Sequence, residues 1–262
     1  MDILVCIKQV PGTTRVEIDE KTGVLKRSGV DSKMNPYDLY ALETGLRIKA
    51  KMKGKISVIS MGPPQAVEVI KEAYCMGVDE GVLLSDKRFA GADTLSTAYA
   101  ISQGIKKMGK FDLIICGKQT TDGDTAQVGP EVAESLDIPN AANVRKITEI
   151  DDNSITVEMD MGEVVQISKI EFPCLITVDK DIFQPRLPSY RKKIATRNKE
   201  VKLYSLKDFE DKDEKKYGLS GSPTQVERIF PPAVNTNKEI WKGSDLELSD
   251  RLYKELKKLK FV

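Results

Sequence analysis

Apolar residues come in short, near-continuous runs through the first half of the chain. "ILVCIKQV" (3–10), "KISVISM" (55–61), "EGVLLS" (80–85) and "DLIICG" (112–117) are rich in β-branched residues. Such runs mark strands covered on both faces. Between them, apolar residues recur at helical spacing. Asn35-Pro36 supplies an N-cap and a proline at the first helical position, ahead of "YDLYALETGLRIKAKM",. Gly62-Pro63-Pro64 opens "QAVEVIKEAYCMG", which stops on a glycine, and Asp93 caps "TLSTAYAISQGIKKMG",. Strand and helix in alternation predict an α/β fold with a doubly wound, mostly parallel sheet.

The pattern changes after residue 137. "SITVEMD", "VVQISKI" and "CLITVDK" are separated by turn residues and predict a small antiparallel hairpin, then a last strand of the main sheet,. "RVEIDEKTGVLKR" (15–27) predicts a further surface hairpin. Residues 181–199 are basic and carry prolines, as an exposed loop does. Beyond them lie a solvated charge run, "KDFEDKDEKK", and a closing amphipathic helix, "DLELSDRLYKELKKLKF",. Two parts result: an α/β domain over 1–199 and an extended C-terminal arm over 200–262. The arm has too little periodic apolar pattern for a core of its own, so it packs on another surface or folds back on its domain.

Composition narrows the function. With 41 basic against 40 acidic residues there is no global basic field for nucleic acid or an anionic membrane,. The N-terminus has no charged leader, and no apolar run approaches the ~20 residues of a membrane helix. A soluble, cytoplasmic protein is expected. Cys6, Cys75, Cys116 and Cys174 lie far apart, as buried free thiols do,. The chain has no histidine. That removes Ser-His-Asp and Cys-His systems and the commonest zinc and iron sites, so no metal site is expected. Redox chemistry would be borrowed from a cofactor.

Ligands of a doubly wound sheet sit at the carboxyl ends of its strands, near the switch point. Four strand exits carry unusual loops: Lys8-Gln9-Val10-Pro11, Met61-Gly62-Pro63-Pro64, Ala90 to Thr94, and "GKQTTDGDTAQVGP" (117–130). The absence of GxGxxG after the first strand, and of GxxxxGK[ST], disfavours an ordinary dinucleotide-binding domain and a P-loop ATPase,. The last loop is acidic, with Lys118 its one cation. Backbone N–H groups and a helix dipole hold phosphate without a cationic side chain. Gly123 would let the backbone approach, and Thr125, Ala126 and Gln127 would supply helix-start N–H groups. Asp124 would cap those groups or bond a ribose hydroxyl, and Asp122 would brace the turn or do the same. An Asx-rich helix cap without a ligand is the other reading.

"VCIKQVP", "MNPYDLYALETGLRIK", "GPPQA", "GKQTTDGDTAQVGPEVAESL" and "PCLITVDKD" resemble the beta subunit of electron transfer flavoprotein, over about residues 1–200. The resemblance implies an adenine-nucleotide-hydrolase-like variant of the Rossmann fold. It also implies a heterodimer with a flavin-bearing alpha subunit, on which the 200–262 arm would pack. The beta-subunit site holds AMP in simple members and a second FAD in electron-bifurcating ones. "SDKRFAGADTLST" (85–97) and the glycine at 123 are similar to the bifurcating branch. By this likeness Cys6, Asn35, Asp38 and Met61 would frame the adenosine. Thr121, Asp122, Gly123, Asp124, Thr125, Ala126, Gln127, Val128 and Gly129 would hold the diphosphate. Asp93 and Thr94 would face the flavin, and Phe89 and Gly91 would face NADH. No side chain stands out as a proton donor, so no catalytic residue is assigned and the chemistry is expected to reside in the flavins.

In relatives that dock on acyl-CoA dehydrogenases, the basic loop carries a small aliphatic anchor. Here Tyr190 stands at the anchor, among Arg186, Arg191 and Lys192. The implied dehydrogenase is an acyl-CoA dehydrogenase or a flavin-dependent 2-hydroxyacid (lactate-type) enzyme. The function implied is hydride uptake from NADH, with one electron sent to the alpha-subunit flavin and one to ferredoxin or flavodoxin, or the reverse. A non-bifurcating subunit with structural AMP, and a nucleotide-binding sensor of the universal-stress type, are the alternatives.

Overall fold

The first apolar run divides. β1 (Asp2–Cys6) enters the main sheet, while β2 (Gln9–Pro11) turns away from it. The computed structural model describes residues 1–12, 17–18, 25–26, 32–227 and 238–262. β3 (Glu17–Ile18) and β4 (Leu25–Lys26) pair antiparallel inside the expected hairpin, whose remaining residues lie outside the described ones. β5 (Ser32–Met34) returns along β2 and delivers the chain to α1 (Pro36–Met52).

Strand and helix then alternate as the pattern predicts: β6 (Lys55–Met61), α2 (Val67–Met76), β7 (Glu80–Leu84), α3 (Thr94–Met108), β8 (Leu113–Gly117) and α4 (Val128–Leu136). A long strand that the sequence reading did not resolve follows, β9 (Asn140–Ile150). It carries Arg145, Lys146 and Glu149 and is half exposed, so neither periodicity shows,. β10 (Ser154–Asp160) and β11 (Val165–Glu171) form the expected hairpin, and β12 (Cys174–Val178) is the expected last inner strand. α5 (Tyr190–Ala195), β13 (Lys202–Tyr204) and α6 (Asp245–Lys258) complete the chain.

Nine strands form one sheet in the order β11-β10-β9-β12-β8-β1-β6-β7-β13. The seven from β9 to β13 run parallel, with Val5 of β1 opposite Val58 of β6 and Ile115 of β8. β10 and β11 extend it antiparallel. Alternate residues of β1 point to opposite faces. Ile3 and Val5 meet Leu42, Leu46 and Ile70 of α1 and α2, while Leu4 joins Ala98, Ile105 and Val132 of α3 and α4. Ile3, Leu4 and Val5 are inaccessible to solvent. Full burial of such side chains stabilises by about 1.5–3 kcal/mol each, which fixes the sheet as a rigid base for the loops at its carboxyl edge.

The compact unit runs to Glu227, so the division expected after residue 199 lies later. β13 lengthens the sheet beside β7, and Leu206, Phe209 and Tyr217 are buried against it. Those three sit singly among charged residues, which hid them from a periodicity argument. The second unit, 228–262, is described from residue 238. Its helix α6 starts on a capping box between Ser244 and Glu247, and the Arg251 guanidinium lies 4.5 Å over the Trp241 ring,. No helix among the described residues is long and apolar enough to cross a membrane.

Candidate functional site

β1 and β8 are neighbours, but the chain leaves them towards opposite sides of the sheet. A crevice opens at such a switch point, outside the carboxyl ends of the two strands. Three segments border it: the connection after Cys6, the N-terminus of α1, and the loop between Gly117 and Val128.

Asn35 ties these segments together. The residue is wholly buried, and its backbone carbonyl starts α1 by accepting from the Asp38 and Leu39 N–H groups. Its side chain does not cap that helix, as the sequence pattern had suggested. Instead Nδ2 donates to the Gln119 carbonyl at 2.9 Å and to Asp38 Oδ1 at 2.9 Å, while Oδ1 accepts from the Thr121 N–H at 3.3 Å. Asp38 Oδ2 accepts from the Lys8 N–H at 2.8 Å. A side chain at 117 has no room, since its Cβ would lie 2.5 Å from Asp38 Oδ1. Burial pushes the Asp38 carboxyl up to about 7, against the pull of its bonds from Asn35, Lys8 and Gly117,. The Cys116 thiol is pushed up as well, by its hydrogen bond with Cys6, by burial, and by the charges of Cys6 and Asp38.

The acidity of the loop now has a physical account. Both Asp122 oxygens accept from Lys8 Nζ, at 2.8 and 2.9 Å, and Asp124 accepts from the Gln119 amide. Burial raises the Asp122 pKa, but the Lys8 ammonium outweighs it and holds the carboxyl below its usual range. Lys118 is also engaged, 2.8 Å from Asp179. The charged side chains therefore face one another, and the backbone is left for a ligand. Ala126 adopts φ 55° and Gln127 φ −102°, an alternation that turns successive N–H groups towards one point,. Among the described residues no acceptor meets the Thr125, Ala126 and Gln127 N–H groups. A Cβ on Gly123 would meet only Thr120 Oγ1, at 3.4 Å, and its φ is not in the left-handed region. Among the described residues nothing requires glycine there.

This loop falls within the segment matched by the electron transfer flavoprotein domain family, residues 22–208. The chain belongs to the electron transfer flavoprotein family, as a beta subunit. It is 46% identical over 258 residues to the electron transfer flavoprotein subunit beta of Thermoanaerobacterium thermosaccharolyticum, covering 98% of each chain. It is 40% identical over 259 residues to the caffeyl-CoA reductase-Etf complex subunit CarD of Acetobacterium woodii, again covering 98% of each. Protein FixA of Sinorhizobium fredii is 40% identical over 246 residues, covering 92% of this chain and 86% of its own.

The other expected site residues lie on neighbouring elements. Met61 stands half-buried at the exit of β6. Thr94 Oγ1 donates to Glu131 Oε1 at 3.1 Å, which joins the start of α3 to the first turn of α4. Nothing in its sequence context singles Glu131 out; its Oε2 is buried without a partner among the described residues. Asp93 caps α3 through the Ser96 N–H at 3.0 Å, but its other oxygen accepts from the Thr224 N–H and hydroxyl at 3.0 and 2.8 Å. Burial raises its pKa, and these bonds outweigh the burial and leave the carboxyl below its usual range. Phe89 is 5% exposed, with its ring stacked 5.5 Å from Phe209, so that ring offers no face to a nicotinamide. Gly91, at φ 74°, is exposed beside Leu219.

The basic loop contains α5, and two of its four expected docking residues are engaged internally. Arg186 clasps the buried Glu43 carboxylate, with Nε 2.7 Å and Nη2 3.1 Å from its oxygens. Lys192 Nζ donates to the Met76 carbonyl at 3.0 Å, against the negative end of α2,. Tyr190 and Arg191 remain exposed, and Tyr190 stands out with Leu187 and Ile194 as an apolar group.

Proposed function

We propose that this beta subunit binds FAD in the β1/β8 crevice. With an alpha subunit it takes electrons from NADH and divides them between a flavin dehydrogenase and ferredoxin or flavodoxin, or runs the reverse. The observation that carries the reading is the cradle over residues 123–127: free N–H groups at a helix start, a bare glycine, and carboxylates turned onto Lys8 and Gln119. Bound FAD would supply the chemistry, accepting hydride from NADH and releasing electrons singly.

The chain's own residues bind and orient. The N–H groups of Thr125, Ala126 and Gln127, at the positive end of α4, receive the diphosphate. Lys8 keeps the Asp122 charge off it. Asn35, Asp38, Cys6 and Met61 form the floor and wall around the adenosine. Thr94 and Glu131 stand on the side of α3, and the exposed backbone at Gly91 is the approach for NADH. The likeness to a subunit of a reductase-Etf complex supports a dehydrogenase partner, which Tyr190 would anchor. A single phosphate also fits the cradle, so structural AMP in a non-bifurcating carrier is the competing reading.

The test is an acceptor experiment on the purified heterodimer with its dehydrogenase. Ferredoxin reduction by NADH should require the dehydrogenase's own acceptor to be turning over. No NADH oxidation under any pairing of acceptors would overturn the proposal.

A further inference from the structure

Asp38 is reached by donors only. Lys8 N–H and Asn35 Nδ2 point at its two oxygens. With the carboxylate in place, the Asn35 amide has one permitted orientation. Nδ2 must face Asp38 and Gln119, so Oδ1 must face the Thr121 N–H. We infer that Asp38 is a positioning residue: the buried acceptor that orients Asn35 and so fixes the base of the 117–124 loop, making the hold on the nucleotide depend on pH. The link to a nucleotide rests on the function proposed above; the link to the loop does not.

The argument is one of hydrogen-bond parity. Asp38 is 4% exposed and Asn35 is 0% exposed, so water does not replace a lost partner,. A protonated Asp38 brings an O–H into a nest of N–H groups and must give up one of their bonds. If the bond to Asn35 goes, the amide is free to turn, and the Gln119 carbonyl and Thr121 N–H lose their matched partner. The charged and titratable groups around Asp38 are the Lys8 ammonium, which lies on Asp122, and the Cys6 and Cys116 thiols at the ends of β1 and β8. Burial opposes the Asp38 charge and raises its pKa to about 7, so protonation of this carboxyl is the step that would release the loop,.

Asp38→Asn is the matched perturbation. It keeps shape but replaces one acceptor with a donor, so an NH₂ must oppose either the Lys8 N–H or Asn35 Nδ2. Two readouts on the heterodimer separate the parts. The first is amide hydrogen exchange at Thr121, which needs no ligand. Protection should fall about tenfold in the variant. The second is FAD binding to deflavinated wild type, followed by flavin fluorescence from about pH 8.5 down to about pH 5.5. Affinity should fall about tenfold on acidification in wild type, and the variant should be weak and flat across the range. Wild type alone supplies this profile if the variant does not fold. Unchanged Thr121 protection, or a pH profile that survives Asp38→Asn, would overturn the inference. Lost protection in the variant, with no FAD binding by wild type at any pH, would sustain the positioning role and refute FAD as the occupant.

Discussion

Replacing Arg186 with Met separates an internal clamp from a docking cation. The Glu43 carboxylate, with its side chain 3% exposed, accepts from Arg186 Nε, Nη2 and the backbone N–H, and from Arg47 Nε at 2.9 Å. Breaking a buried ion pair costs about 3–5 kcal/mol, because a charge is left without its partner. Two features reduce that figure. Arg186 is itself 40% exposed, and Arg47 stays in place over the Phe183 ring. The expected loss is about 2 kcal/mol. For a chain of this size that lowers Tm by about 4–8 °C. The pH dependence has a definite sign. Burial raises the Glu43 pKa, but the two guanidinium groups outweigh it and hold the carboxyl below its ordinary value. Its stabilising contribution is therefore present above the unfolded-state pKa and is lost as pH falls through the folded one. The gap between wild type and Arg186→Met should be constant near neutral pH and should close below about pH 4.5. Thermal unfolding across that range is the assay. An unchanged Tm, with selective loss of the dehydrogenase-coupled rate, would refute the clamp and return Arg186 to the docking surface.

Three further perturbations test the remaining assignments. Gly123→Glu has room for its Cβ but places a carboxylate at the cradle, so it should lose the beta-site cofactor while Tm of the ligand-free protein holds,; equal cofactor content in both proteins would put the phosphate elsewhere. Tyr190→Ala should lower the dehydrogenase-coupled rate by about 2 kcal/mol and leave dye-coupled NADH oxidation unaffected, and equal loss in both assays would make the loop a structural element. Truncation after Glu227 keeps the sheet and the Phe89–Phe209–Tyr217 cluster but removes α6 with its exposed Leu246, Leu252 and Tyr253. The truncated chain should fold and fail to co-purify with the alpha subunit; retained association would place the interface on the α/β unit.

What was legible in the sequence follows the physics of each element. The buried parallel strands announced themselves because both faces are covered, and the helices because their caps are local. β9 was silent because a half-exposed strand mixes charge into its pattern. β13 was silent because it is three residues long, and the Phe209–Tyr217 segment because its two rings join Phe89 and Tyr99 at long range in the chain. The 117–128 segment is recognisable as a loop, but its acidity is explicable only with Lys8, more than a hundred residues away, seen on Asp122. Next to Pro36, Asn35 has the pattern of a helix cap, yet its side chain serves the distant 119–121 backbone. Arg186 and Lys192 looked like rim charges because sequence does not reveal that a buried carboxylate and a helix end lie beneath them. Local rules captured local structure; side chains that act across the switch point needed the fold.

The central claim is that the β1/β8 crevice holds FAD. The most direct measurement is the nucleotide content of the purified heterodimer after denaturation, with released FAD and AMP separated and counted. Two FAD and no AMP per heterodimer is the predicted result. One FAD and one AMP would contradict it, and would make this chain a structural nucleotide carrier beside a single-flavin partner.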